Sequence, residues 1–183
     1  MDYLQMFLDS ILVPETAIIA AFLIILIFLW ICLRRLKTLR QTLSILEEGH
    51  LEWAYQSSEM KEWRLRLLSS DPANMKDMQS RSREILDFFD RLGFLMDQKI
   101  LSRKVIWPYF GYFVMGYFSF LYPYIDWLRT EERNRHHYSF FEELNTAMVR
   151  MNRKVSGRKP RPLMIEEELK RFIEEEKTAL RDI

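Results

Sequence analysis

Two adjacent histidines, His136 and His137, stand five to seven residues before Glu142 and Glu143, and they form the cluster whose residue types best suit metal binding or proton transfer. The spacing does not support either chemistry. Neighbouring helical positions point about 100° apart, and no HExxH pattern occurs, so one ion could not take both rings. The pair reads as a solvated connection between helices that could respond to pH near neutrality. Arg129 and Glu142 are instead candidates for a salt bridge fixing the last helices together. Cys32 is the chain's one cysteine, which excludes an intrachain disulfide. With three histidines and no second thiol, a zinc site of the Cys/His type would need carboxylates. There is no Gly-rich phosphate loop, no Ser or Cys nucleophile motif and no paired inward carboxylates. The expectation is a protein without catalytic, metal or cofactor residues. The competing reading is a membrane-tethered effector or enzyme using His136, His137 and Glu142.

The cations are grouped. Arg34, Arg35, Lys37 and Arg40 follow an apolar run directly, and the segment 150–162 carries Arg150, Arg153, Lys154, Arg158, Lys159 and Arg161 with no acid. Near an anionic leaflet each such cation contributes about 1 kcal/mol, so Arg34, Arg35, Lys37, Arg40, Arg158, Lys159 and Arg161 are candidate lipid-headgroup residues. A solvated loop is the other reading of 150–162. Nucleic acid is not an expected partner. No aromatic residues interleave these cations, and 27 Lys and Arg against 26 Asp and Glu leave a net charge of +1.

The apolar run itself, Thr16 to Leu33, contains eighteen residues without a charge. At 1.5 Å per residue it covers about 27 Å, close to the hydrocarbon thickness of a bilayer, and it reads as a transmembrane helix with Trp30 near one end. Asp2, Asp9 and Glu15 precede it and the cations follow it. The positive side stays in the cytoplasm, which puts the N-terminus outside. A cleaved signal is not expected, because the chain opens without a basic region and the run ends in Trp-Ile-Cys-Leu rather than in small residues. Before the run, Tyr3, Leu4, Phe7, Leu8 and Ile11 recur at helical spacing, consistent with an interfacial helix or a frayed terminus. After it, Leu36, Leu39, Leu43 and Leu46 form a short a/d seam, a candidate partner-binding stripe for a second copy or another membrane protein. The same leucines could pack on the chain's own domain. Gly49 offers a break.

The remaining sequence reads as helices. Asp71 with Pro72 predicts an N-cap and first helical position. Ile85, Leu86, Phe88, Phe89, Leu92 and Leu95 predict one broad apolar face. Gln98-Lys99 predicts a polar turn, and Ser102 a cap. Val105 to Ile125 has no charge in twenty-one residues, yet ten are aromatic, five of them tyrosines, with Pro108, Gly111, Gly116 and Pro123 between them. Its length alone would admit a second membrane span, the competing reading; buried tyrosine hydroxyls want partners that hydrocarbon lacks, so this segment is expected at the centre of a helical domain, with Phe110, Phe113, Tyr117 and Leu121 supplying buried area. In the last helix Ile165, Leu169, Phe172 and Ile173 share a face, with two Glu triplets assigned to the other.

The stretch from Ile85 to Asn145 resembles a known family. Its pattern is Phe88, Phe89, Asp90 and Gly93, a short turn, an aromatic helix ending Pro123-Tyr124-Ile125, then Leu128-Arg129, Tyr138 and Phe141-Glu142. This resembles the bacterial family called domain of unknown function 4760. The resemblance implies small membrane-associated proteins with one N-terminal membrane helix, and no established activity.

The expected organisation is all-α. A short extracytoplasmic segment (1–15), a transmembrane helix (16–33) and a juxtamembrane stalk (34–49) lead to a small cytoplasmic helical bundle (50–149), a basic linker (150–162) and a C-terminal amphipathic helix (163–183). A single-pass protein of the bacterial inner membrane follows, in contact with lipid, and serving as a non-catalytic interaction or accessory subunit of a larger membrane complex.

Overall fold

The computed structural model describes the backbone of residues 15–157 and 161–181, and the side chains of 22–36, 49–157 and 161–181. Among the described residues the chain is all-α, with seven helices and no strand. They are α1 (Glu15–Gln56), α2 (Ser58–Leu68), α3 (Met75–Arg81), α4 (Arg83–Asp97), α5 (Arg103–Glu131), α6 (Ser139–Ser156) and α7 (Glu166–Arg181). Two compact units result, Met1–Leu43 and Ser44–Ile183.

In the first unit, the described side chains of α1 are exposed throughout. The large apolar ones from Phe22 to Leu36 keep between 46% and 67% of their area open. Among the described residues no helix is long and apolar enough to cross a membrane. The first six residues of the Thr16 to Leu33 run have no described side chains, and the interfacial segment 1–14 lies outside the described residues.

Gly49 does not break the chain, as the sequence suggested; helix α1 continues through it to Gln56. The break comes at Ser57, whose Oγ accepts the Met60 amide at 3.2 Å and caps α2. The Asp71-Pro72 expectation is also corrected. Asp71 accepts the Ala73 amide at 3.0 Å in a turn, and Asn74 caps α3 by accepting from Asp77 N. An Asx turn competes with capping for the same carboxylate, and here it wins. Lys99 takes a left-handed φ of 55° in the expected turn, and Ser102 accepts the Val105 amide to open α5.

Helix α5 is the axis of the second unit. Thirteen of its residues are buried, Phe110, Tyr117 and Leu121 among them, while Phe113 is only half-buried. Helices α4 and α6 pack against each other, and α6 also packs on α5. Phe89 and Phe141 stack across α4 and α6 with ring centres 5.0 Å apart, and Phe118 of α5 meets Phe141 edge-on at 5.2 Å. Tyr55 at the end of α1 lies within 5.4 Å of both Phe88 and Phe110. Aromatic pairs in such geometries contribute roughly 0.5–1.5 kcal/mol beyond area burial.

The resemblance pattern sits at the contact of α4 with α6. A Cβ on Gly93 would lie 2.1 Å from the Phe140 carbonyl oxygen, so the two backbones approach as closely as a hydrogen side chain permits. Tyr138 precedes α6 at φ 55° without giving it a side-chain cap. Asp90 of α4 supplies the missing acceptor, taking the Phe141 amide at 3.0 Å.

Candidate functional site

In the second unit a cavity of about 910 Å³ lies between α5, α6, α7 and residues 161–165. Its floor comes from α5, which contributes Trp107, Tyr112, Phe113 and Met115. Leu163 and Met164 form the opposing apolar wall. Tyr109 and Tyr112 keep 48% and 40% of their area open, and Ile165 at the rim keeps 41%.

Hydrogen bonds hold that wall in place. The Met164 amide donates to Ser119 Oγ at 2.9 Å, and Ser119 in turn donates to the Met115 carbonyl at 2.7 Å. Asn145, nearly fully buried on α6, donates through Nδ2 to the Pro162 carbonyl at 2.8 Å. The Ile165 amide donates to Glu168 Oε2 at 3.3 Å, which opens α7. The rim is cationic: Arg153 of α6, Arg161, and Arg171 of α7 line it, with Glu168 as the sole carboxylate among the lining residues. Burial, and then the hydrogen bond of 2.7 Å to Glu175, push the Tyr112 hydroxyl up to about 12, so it stays protonated and donating.

Behind the floor is a buried charge pair that the sequence did not suggest. Arg64 of α2 and Glu176 of α7 meet at 2.9 Å with almost no exposure. Tyr117 of α5 donates to the same Glu176 oxygen at 2.9 Å, and the Arg64 guanidinium lies 4.0 Å from the centre of the Tyr55 ring. Burial pushes both tyrosine hydroxyls well above their ordinary range. Glu176 was expected on the outer face of the last helix. It lies inward because it continues the Leu169, Phe172, Ile173 stripe by one more step of three or four residues. Arg64 likewise shares a stripe with Met60, Leu67 and Leu68, which a strict search for apolar positions passes over.

The histidine cluster does not converge. His137 Nε2 pairs with Glu132 at 2.6 Å, whereas Glu142 pairs with Arg129 at 2.8 Å, the salt bridge expected from the sequence. Arg129 also donates to the His137 carbonyl at 2.9 Å, tying the end of α5 to the start of α6. His136 is exposed, with its amide held by Asn134 Oδ1. Among the described residues no group of three His, Cys, Asp or Glu side chains could hold a metal ion.

Of the candidate partner-binding leucines, Leu36 is exposed; the side chains of Leu39, Leu43 and Leu46 lie outside the described residues. Of the candidate headgroup cations, Arg34 and Arg35 are exposed, with the Arg34 guanidinium 4.2 Å from the Trp30 ring centre. Lys37, Arg40, Arg158 and Lys159 lie outside the described side chains, and Arg161 is on the cavity rim. The segment expected to be a basic linker begins as helix, since α6 extends to Ser156.

No curated protein and no solved structure matches the chain. A family model described as Domain of unknown function (DUF4760) matches residues 16–148, from the apolar part of α1 through most of α6. That match covers well over half of the sequence and includes the Asp90 and Gly93 docking contact, so the chain belongs to the DUF4760 family.

Proposed function

We propose that this protein is a single-pass, membrane-anchored binding module, a non-catalytic accessory subunit of a larger bacterial membrane complex, with its N-terminus outside and the Ser44–Ile183 unit on the cytoplasmic side. The observation that carries the reading is the unbroken set of exposed apolar side chains on α1 from Phe22 to Leu33. In water such a surface is unfavourable at about 25 cal/mol per Å², and in hydrocarbon it is at home. The uncharged run from Thr16 supplies a length of about 27 Å, and Trp30 beneath Arg34 fits an aromatic-cationic boundary at the inner surface.

Binding is favoured over catalysis because the ionisable groups of the competing centre have other engagements. Glu142 is held by Arg129 and His137 by Glu132, and the aromatic cavity offers no nucleophile paired with a base. Two experiments test the reading. The full chain should resist alkaline extraction from native membranes, and protease added to right-side-out vesicles should spare residues 50–183. Release by alkali would remove the anchor, and loss of the fragment would reverse the orientation. Replacing His136, His137 and Glu142 together by Ala should leave the associated complex and phenotype intact; a lost phenotype with the complex retained would favour the enzyme reading.

A further inference from the structure

We propose that the cavity beside α5 binds a single-chain anionic amphiphile of the fatty-acid class, with its apolar chain on the aromatic floor and its acidic head at Arg153 and Arg161. A volume of about 910 Å³ falls within the roughly 300–1,000 Å³ of small-molecule sites. The interior favours an apolar occupant: the hydroxyl protons of Ser119 and Tyr112 are already given to the Met115 carbonyl and to Glu175, so neither donates to a ligand, and Trp107, Phe113, Met115, Leu163 and Met164 make up much of the lining. Trp107, Tyr112 and Met164 present rings and a thioether, surfaces that dispersion favours against a flexible chain.

The rim requires the opposite character. Arg153 and Arg161 form no ion pair among the described residues, whereas Arg171 is 3.9 Å from Glu175 and Glu168 is engaged with the Ile165 amide. Two unneutralised guanidiniums at the mouth of an apolar recess match a carboxylate or phosphate head, which a guanidinium binds bidentately. The hydrogen bonds from Met164 and Asn145 hold the wall ready, so little ordering is required on binding.

The test uses the full chain in nanodiscs of neutral phosphatidylcholine and a diazirine-bearing palmitate, with adducts mapped by mass spectrometry. The expected result is labelling within α5 and Leu163 to Ile165 that excess unlabelled palmitate suppresses. The neutral alcohol of the same chain should label there about tenfold less, the loss expected when one charge-assisted contact disappears. Arg153→Gln with Arg161→Gln should lower cavity labelling to a similar extent while leaving labelling of Phe22 to Leu36 unchanged. Both arginines are exposed, so the variant should keep its helicity. Should it not fold, Met115→Trp, which places an indole in the void, must by itself abolish cavity labelling. Adducts confined to α1, equal labelling by the alcohol, or cavity adducts that survive Met115→Trp would overturn the proposal. Because cavity and anchor are read on different peptides, failure here is distinct from failure of the membrane assignment, which alkaline extraction reports.

Discussion

Arg64 and Glu176 show how a single pair of residues can set the position of a whole helix. Removing one partner leaves a charge without compensation in the core, at a cost of roughly 3–5 kcal/mol, whereas replacing both by apolar residues of similar volume is often close to neutral. Glu176→Ala and Arg64→Ala should therefore each lower the melting temperature strongly, and Arg64→Met with Glu176→Leu should recover most of the loss. Thermal unfolding of the full chain in mild detergent, followed by circular dichroism, measures this; a double variant as unstable as the singles would show that Tyr117 and Tyr55 depend on the charges themselves. Asp90 gives a pH-dependent case. Burial raises its carboxyl above the usual range, against the lowering effect of the Phe141 and Phe140 amides. A raised folded-state value means that the folded protein holds the proton more tightly. The resulting stabilisation is complete below the ordinary carboxylate range and is lost as pH rises through the raised value. Asp90→Asn keeps an acceptor for Phe141 N without a charge, so its stability relative to the parent should improve as pH climbs from the acid side towards neutrality. A difference that is flat with pH, or that moves the other way, would refute the assignment.

Among the elements, the sequence disclosed most where one physical cause dominated. The apolar face of α4, the Ser102 cap, the turn at Lys99 and the central place of α5 follow from periodicity and local hydrogen bonding, and each is present. The Arg129 to Glu142 bridge was legible because it joins adjacent helices. What the sequence hid were decisions taken between distant elements. Ser57 rather than Gly49 ends α1, because a serine can cap α2 while a glycine inside a long helix costs only about 1 kcal/mol. Val105 to Ile125 was expected at the centre of the domain, but the sequence did not mark which of its aromatic residues stay uncovered; Tyr109 and Tyr112 are open at the cavity. The two packed glycines test these contacts. Gly93→Ala drives a methyl into backbone at Phe140, where nothing can rotate away, and should cost about 3 kcal/mol or more. Gly116→Ala meets the Phe172 ring at 2.4 Å, so it should loosen α7 selectively. Hydrogen exchange should then rise across Glu166–Arg181 more than across α4; uniform acceleration would mean that α7 is not a separable latch.

At the scale of the whole molecule, hydrophobicity is divided unequally. The mean hydropathy of the chain is −0.19, close to that of ordinary globular sequences, yet Thr16 to Leu33 carries no charge at all. The Ser44–Ile183 unit buries its apolar residues around α5 and closes its ends with charged and capped termini. The Met1–Leu43 unit leaves its described apolar side chains uncovered. A fragment of residues 44–183 should therefore be helical, cooperative in unfolding and recovered in the aqueous phase of a detergent phase separation. The full chain should enter the detergent phase. The first outcome depends on the core that Tyr55, Phe89, Tyr117, Phe141 and Phe172 build from five helices, and the second on α1 alone. Phe141→Ala, which removes a fully buried ring at a cost of about 3–5 kcal/mol, should thus reduce the fragment's stability without moving the full chain out of the detergent phase. Conversely, placing Lys at Ile24 and Ile27 should shift the full chain towards water and leave the melting of the Ser44–Ile183 unit unchanged. A fragment that dissolves only with detergent would instead locate a second lipid-facing surface on α5, where Tyr109 and Tyr112 are already open.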